Sequence, residues 1–389
     1  MKKLLTFILA LSLVFALSSS LAGCNAEPGE KGEQGDKGDT PTIEISEDGY
    51  WVINGEKTNV KATPESGADE NPQQLDFYPT DDGEYYVAVG NAKYLSHITI
   101  PEKFNGAPVV GITDSGFLNC NKLKSITIPD SVTSIGSSAF SGCTGLEEIY
   151  FNAIAMNDLS YSNYVFYNAG KNGNGIKVVV GKKVTKIPEY LFCPYYNSSS
   201  DSPKLISVEF EEGSVCASIG SYAFSNCTSF TSVTIGDSVT SIGSDAFYGC
   251  SSLTSVTIGD SVTSIGNSAF EYCYNLTSIT VDKNNNYYKS IDGNLCTKDG
   301  KTLIQYAIGK TNTDFTIPNS VTYIGDYAFR YCTSLTSVTI PDSVTSIGLG
   351  AFSGCTSLTI YCEAESLPGG WNYNWYEGFV GTIFWGYKG

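Results

Sequence analysis

Histidine is almost absent from this chain of 389 residues: His97 is the only one. A nucleophile–histidine–carboxylate triad or a His-ligated metal site would have to be built on that single ring, which removes most general-base and zinc chemistry. Basic residues are also scarce. With 23 Lys plus Arg against 40 Asp plus Glu, the formal charge is −17, and such a surface repels phosphate, so neither nucleic acid nor a basic membrane-docking face is expected. No apolar run of bilayer-spanning length occurs, since Leu4 to Leu17 is too short. No Gly-x-Ser-x-Gly elbow is present, and Gly300-Lys301-Thr302 lacks the upstream glycine of a phosphate loop, so it reads as a hairpin turn. No cofactor is implied, and the chain is not expected to be an enzyme. Ser, Thr, 40 Gly and 26 Tyr dominate instead, a mixture that favours strands and turns.

The amino terminus carries an export signal. Lys2 and Lys3 precede the apolar run, and Leu21-Ala22-Gly23-Cys24 follows at the distance where a signal peptidase cuts. These four residues match a bacterial lipobox, which makes residues 1–23 a lipoprotein signal peptide and Cys24 the lipidated first residue of the mature chain. The lipid on Cys24 would be the only membrane contact, with the protein held on the extracellular face of the envelope. Four Gly-x-y triplets from Gly29 to Thr40 repeat with the period of collagen, but with almost no imino acid they read as a flexible spacer over 24–40. Alternation around Asp48-Gly49 and Asn54-Gly55 predicts a small β-module over 41–62, and residues 63–76 read as a linker rich in Pro, Gly and acids.

The remainder is repetitive. Alignment on Ala-Phe-x-x-Cys gives seven units of 23 residues starting at Pro108, Ser131, Val215, Ser238, Ser261, Ser320 and Ser343. In residues 238–260 the apolar positions are Val239, Ile242, Ala246, Phe247, Cys250, Leu253, Val256 and Ile258, separated by Ser, Thr, Gly or Asp. Burying these eight side chains does not offset the conformational entropy of ordering 23 residues, so a unit folds only in an array. Leu253-x-x-Val256-x-Ile258 predicts one strand, Val262 to Ile265 a second and shorter one, and Asn267 to Cys273 about one helical turn with Ala269 and Phe270 inward. The fold class is a repeat β-solenoid over 77–362, mostly β with short helical turns, with some eleven coils between Leu95 and Cys362 and an aromatic C-terminal cap at 363–389. Register breaks between Ser131 and Val215 and between Ser261 and Ser320 read as degenerate coils with loops, the second carrying a projecting β-hairpin.

The run Ser-Val-Thr-Ser-Ile-Gly-x-x-Ala-Phe-x-x-Cys-x-x-Leu-x-Ser-Val-Thr-Ile-Pro resembles the BspA-type leucine-rich repeats of bacterial surface proteins over roughly 95 to 362. The insertion at 288–308 and the ending Cys362-Glu-Ala-Glu-Ser-x-Pro-x-x-Trp371 also look like this family's hairpin and cap. The resemblance implies a cell-surface protein that adheres to host or bacterial macromolecules. It carries over no ligand-binding residue. A surface glycan-binding protein and a structural envelope spacer are the other readings.

Candidate chemistry is sparse. Cys120, Cys143, Cys227, Cys250, Cys273, Cys332 and Cys355 share one inward repeat position and read as a ladder of buried thiols, since parallel Cβ vectors do not face one another for disulfides. His97 occupies an outward strand position, and Asp237 and Asp260 read as turn residues more readily than as calcium ligands. Two features could hold an extracellular protein or glycan. One is the outward column Ser232, Thr234, Ser255, Thr257, Ser278 and Thr280; the other is the aromatic cluster that includes Tyr161, Tyr164, Tyr195 and Tyr196. For the anchor, Cys24→Ala or globomycin treatment is expected to shift the protein from the membrane pellet to the soluble fraction; unchanged fractionation refutes lipidation.

Overall fold

The computed structural model describes residues 43–45, 50–53, 56–61, 73–194 and 201–389. The chain divides into two units, Met1–Ala68 and Asp69–Gly389. In the first, strands Ile43–Ile45, Tyr50–Ile53 and Glu56–Lys61 form an antiparallel three-stranded sheet. Cys24 and the Gly-x-y triplets lie outside the described residues.

The second unit is a β-solenoid of about 13 coils of roughly 23 residues. Each regular coil has three sides. The long-strand side comes from the Ser-Val-Thr-Ile segments: Ser232–Ile235, Ser255–Ile258 and Ser278–Val281 pair in parallel, with Val233, Val256 and Ile279 in one inward column. Alternation of a β-branched residue in with a hydroxyl out gives each of the first two strands a strict exposed–buried pattern. The short-strand side stacks Ser218–Ile219, Ser241–Ile242 and Ser264–Ile265, again in parallel. Eleven long-side rungs lie between Leu95 and Cys362.

The third side departs from expectation. Where the sequence suggests a helical turn at Asn267–Cys273, the chain makes linked turns in which Ser268 and Tyr272 adopt left-handed backbone, with φ of 55° and 59°. The reason is the hydrogen-bond ladder. Backbone N–H groups here donate to the next coil, Phe224 to the Ala246 carbonyl at 2.8 Å and Phe247 to the Ala269 carbonyl at 2.9 Å, whereas a helical turn would direct them along its own axis. Between the regular coils at 215–281 all three sides therefore bond rung to rung.

Inside, Phe117, Phe140, Phe166, Phe192, Phe224, Phe247 and Phe270 form a single stack with ring centroids 5.1–5.6 Å apart. Phe166 and Phe192 belong to the degenerate coils, so the file runs straight through the first register break. The thiols lie beside the rings. Cys143, Cys250, Cys273 and Cys355 each donate Sγ–H to the carbonyl of the phenylalanine 26 residues earlier, at 3.0–3.2 Å. All eleven described cysteines are free, and all but Cys193 are buried. A thiol suits the position because it fills an apolar slot and still offers that carbonyl a weak donor. Corner threonines add a second ladder: Thr254 and Thr277 donate to Thr231 and Thr254 carbonyls, both at 3.0 Å.

The second break is built differently from the expected projecting hairpin. Tyr288–Ile291 and Asn294–Thr297 join through Asp292-Gly293, both at positive φ, as a two-residue turn requires. The next strand, Thr302–Gln305, pairs antiparallel with Asn294–Thr297 and parallel with Tyr323–Ile324, so the hairpin is inserted into the short-strand side. Here the turn ladder stops, because no following turn meets the N–H groups of Ser268, Phe270 and Tyr272 among the described residues. The buried core separates into two bodies at this point. Arg330, the sole arginine of the chain, spans the gap: its guanidinium pairs with Glu271, whose side chain is only 5% exposed.

Both ends are closed by side chains. At the first rung the Gln73 side-chain amide pairs with both backbone groups of Thr99, at 2.7 and 2.9 Å, where a further strand would bond. At the other end the aromatic segment makes one more coil. Trp375 packs edge-on against Phe352, the last ring of a second stack formed with Tyr306 and Phe329, and Thr382–Phe384 pairs in parallel with Thr359–Cys362.

Removing Arg330 leaves Glu271 buried and uncompensated, so Arg330→Ala should cost about 3–5 kcal/mol and open the 288–305 region to limited proteolysis, while Arg330→Met with Glu271→Gln should recover most of the loss. Burial pushes the Cys250 thiol up to about 12 and raises Cys227, Cys273 and Cys332 well above their ordinary value. The ladder thiols should therefore resist alkylation at pH 8 until denaturant is added. The unfolded chain ionises them first, so their contribution to stability should fall as pH rises above about 9; a flat alkaline limb in unfolding curves would refute this.

Candidate functional site

Two outward surfaces are built by the coil geometry. On the long-strand side, Ser232, Ser255 and Ser278 align in one column and Thr234, Thr257 and Thr280 in another. These hydroxyls make no hydrogen bond to protein among the described residues, unlike the corner threonines. The columns are uncharged here, while earlier rungs of the same face carry the ion pairs Lys124–Glu147 at 2.6 Å and Lys177–Glu209 at 2.7 Å. His97 sits exposed on the first of those rungs, with Nδ1 2.7 Å from Ser96 Oγ.

The turn side carries tyrosines. Each turn has two left-handed positions, one before the Ala-Phe pair and one before the cysteine. Gly142, Gly249, Asn119 and Asn226 fill the second in several coils, as the conformation favours. Elsewhere these positions hold Tyr164 (φ 47°), Tyr190 (58°), Tyr222 (57°), Tyr272 (59°), Tyr327 (56°) and Tyr331 (57°). A bulky residue there costs on the order of 1–2 kcal/mol, whereas Ser115, Ser138, Asp245 and Ser268 hold the first position in other coils.

The rings form two groups. Tyr190 and Tyr222 stack at 4.8 Å and 9°, and together with Tyr161, Tyr164 and Tyr248 they wall a groove of about 700 Å³ that is lined also by Cys193, Pro194, Ser225, Asn226 and Asp245. Tyr161 is 63% exposed at its end. Burial pushes the Asp245 carboxyl above the usual carboxylate range, with Glu271 adding to the rise and a hydrogen bond from Tyr222 opposing it. Burial, with Cys193, Glu189 and Asp245 nearby, likewise raises the Tyr190 phenol. In the second group, Tyr272, Tyr327 and Tyr331 enclose Arg330, whose guanidinium carbon lies 4.9–5.3 Å from the three ring centroids.

Of the residues singled out in the sequence, Tyr161 and Tyr164 lie in the groove, while the six hydroxyl residues lie on the strand side and do not join it. Tyr195 and Tyr196 lie outside the described residues. The tyrosines the sequence reading passed over, Tyr222, Tyr248, Tyr272, Tyr327 and Tyr331, had a signal in the repeat itself: they recur at the variable positions flanking Ala-Phe and Cys, as in Ser221-Tyr-Ala-Phe, Asp326-Tyr-Ala-Phe and Tyr331-Cys332.

This architecture defines a leucine-rich-repeat solenoid. The chain belongs to the BspA type leucine rich repeat region family, which it matches in six copies over residues 88–199, 195–296 and 304–367. It is similar to a leucine rich cell surface protein from Faecalibacterium prausnitzii, at 29% identity over 79% of this chain and 78% of that one, with a TM-score of 0.53. A leucine-rich repeat protein from Eubacterium ventriosum is similar at 23% identity over 78% and 74% of the two chains, with a TM-score of 0.47. No curated protein sequence matches the chain.

If the ring at position 222 is there for binding, removing it should not unfold the coil. Tyr222→Asn relieves the left-handed strain but loses the ring stack, worth about 0.5–1.5 kcal/mol, so stability should stay within roughly 1 kcal/mol of wild type. Loss of more than about 2 kcal/mol in denaturant unfolding would mark Tyr222 as structural.

Proposed function

We propose that this is a non-catalytic binding protein of the bacterial cell surface, tethered through lipid on Cys24, that holds a host or bacterial macromolecule against the tyrosine-lined turn side of its solenoid. The observation that carries this reading is the set of six tyrosines in left-handed backbone, at positions that other coils fill with the small or polar residues Gly, Asn, Ser and Asp. Similarity to a leucine rich cell surface protein supports the location. Aromatic side chains on a rigid frame supply large contact area at small entropic cost. The hydroxyl columns lack any such strain, and Thr is favoured in strands for its own sake, so they act as scaffold surface.

Cells displaying the full chain should bind immobilised matrix proteins or partner bacteria, and the double variant Tyr190→Asn with Tyr222→Asn should lose at least tenfold in retained cells at equal surface expression. Retention unchanged by the double variant would overturn the tyrosine face. No retention by the wild type on any surface would favour the envelope-spacer reading.

A further inference from the structure

The groove differs from the rest of the tyrosine face in chemistry as well as in depth, and this allows the class of ligand to be named. Its walls are phenol rings, and between them stand one carboxylate and one amide, from Asp245 and Asn226, with the Cys193 thiol and the buried Ser225 behind them. Among the described residues no Lys or Arg lines it, in a chain whose formal charge is −17. Sulfated or uronic-acid polymers would meet Asp245 with no cation to balance it. An aliphatic peptide anchor would need an apolar pocket, and among the described residues Pro194 is the only aliphatic side chain in the lining. Polar groups set among aromatic faces instead suit a ligand that is apolar on its ring faces and hydroxylated around its edges. About 700 Å³ lies within the range of ordinary ligand pockets of about 300–1,000 Å³ and takes a short oligosaccharide.

We infer that the groove bounded by Tyr161, Tyr190 and Tyr222 binds an uncharged glycan, its sugar faces packed on the tyrosine rings and its hydroxyls bonded to Asp245 and Asn226. The ligand class rests on the tyrosine face being a binding surface. Asp245 accepts from sugar hydroxyls, and the Tyr222 hydrogen bond holds it in place at the groove floor. Open access at the Tyr161 end admits a chain longer than the groove, as binding to a polysaccharide requires.

The test is calorimetric titration of the full chain with three probes: a panel of neutral tetrasaccharides (β-1,4-glucan, mannan and galactan), a sulfated heparin tetrasaccharide, and a proline-rich decapeptide. At least one neutral tetrasaccharide should bind, and Tyr222→Asn and Tyr161→Ala should each weaken it tenfold or more, with Asp245→Ala weakening it at least threefold. Tyr161→Ala changes an exposed side chain, so it keeps the test valid if Tyr222→Asn misfolds. Binding of heparin or peptide alone, binding of no probe, or neutral-glycan binding indifferent to both tyrosine variants would each overturn the inference. The adhesion assay separates the two levels. If the variants lose cell retention yet no neutral glycan binds, the glycan class falls and the tyrosine face stands; if retention is unchanged, the face itself falls.

Discussion

Everything in the solenoid depends on one constraint: every coil must offer its hydrogen-bonding groups and its inward side chains at the same height as its neighbours. Parallel pairing on the long and short sides, and the N–H to carbonyl bonds on the turn side, tie each rung to the next. The phenylalanine file and the thiol-to-carbonyl bonds repeat with the same step inside. A unit has no stabilising contacts of its own beyond its turns, so stability is set by nearest-neighbour interfaces. The edges that such stacking leaves are a hazard. The Gln73 amide at Thr99 and the Trp375 ring over Phe352 close them by imitating the missing coil, one with paired hydrogen bonds and the other with an aromatic surface.

The same constraint explains how the chain treats its two irregularities. Between Phe140 and Phe224 the ring-to-ring step lengthens to 26, 26 and then 32 residues, yet the rings stay 5.1–5.3 Å apart. The additional residues leave the core register untouched. Between Phe270 and Phe329 a hairpin takes the place of a turn, and neither the long strands Ser278–Val281 and Asp314–Thr316 nor the short strands Ser264–Ile265 and Tyr323–Ile324 pair across it. A charge pair then replaces the absent ladder. Arg330 and Glu271 can hold the gap because the guanidinium is also covered by three tyrosine rings, which shields the pair from water and raises its strength.

How much of this the sequence discloses follows from which contacts are periodic. The inward positions recur every 23 residues, so Phe224, Phe247 and Phe270 could be placed in one file from spacing alone, and the seven shared cysteines could be read as parallel and unpaired. The hairpin turns were legible from Asp292-Gly293, because that dipeptide is selected by its backbone conformation. The turn side was not legible. A segment such as Asn267 to Cys273 has helix-like spacing of apolar residues, and only the bonds to a neighbouring coil, invisible in a single unit, turn it into left-handed kinks. The groove was half visible for the same reason: Tyr161 and Tyr164 stand out as a local cluster, whereas Tyr222 and Tyr248 come from separate coils 26 residues apart that only stacking brings together.

The scaffold is least demanding of its side chains on the turn side. Corner threonines are committed to rung-to-rung bonds, and outward strand positions alternate with the buried column, holding Ser and Thr in the regular coils and the Lys177–Glu209 pair in earlier ones. The turn side tolerates almost any outward residue, because its backbone conformation is imposed by the ladder and not by the side chain it bears. A tyrosine at positive φ is unfavourable in isolation, but in an array the neighbouring coils enforce the conformation and adjacent rings recover part of the cost by stacking. The groove opens where the ring-to-ring step is longest, so that the coils with additional residues supply the concavity and the regular coils beside them supply a rigid wall.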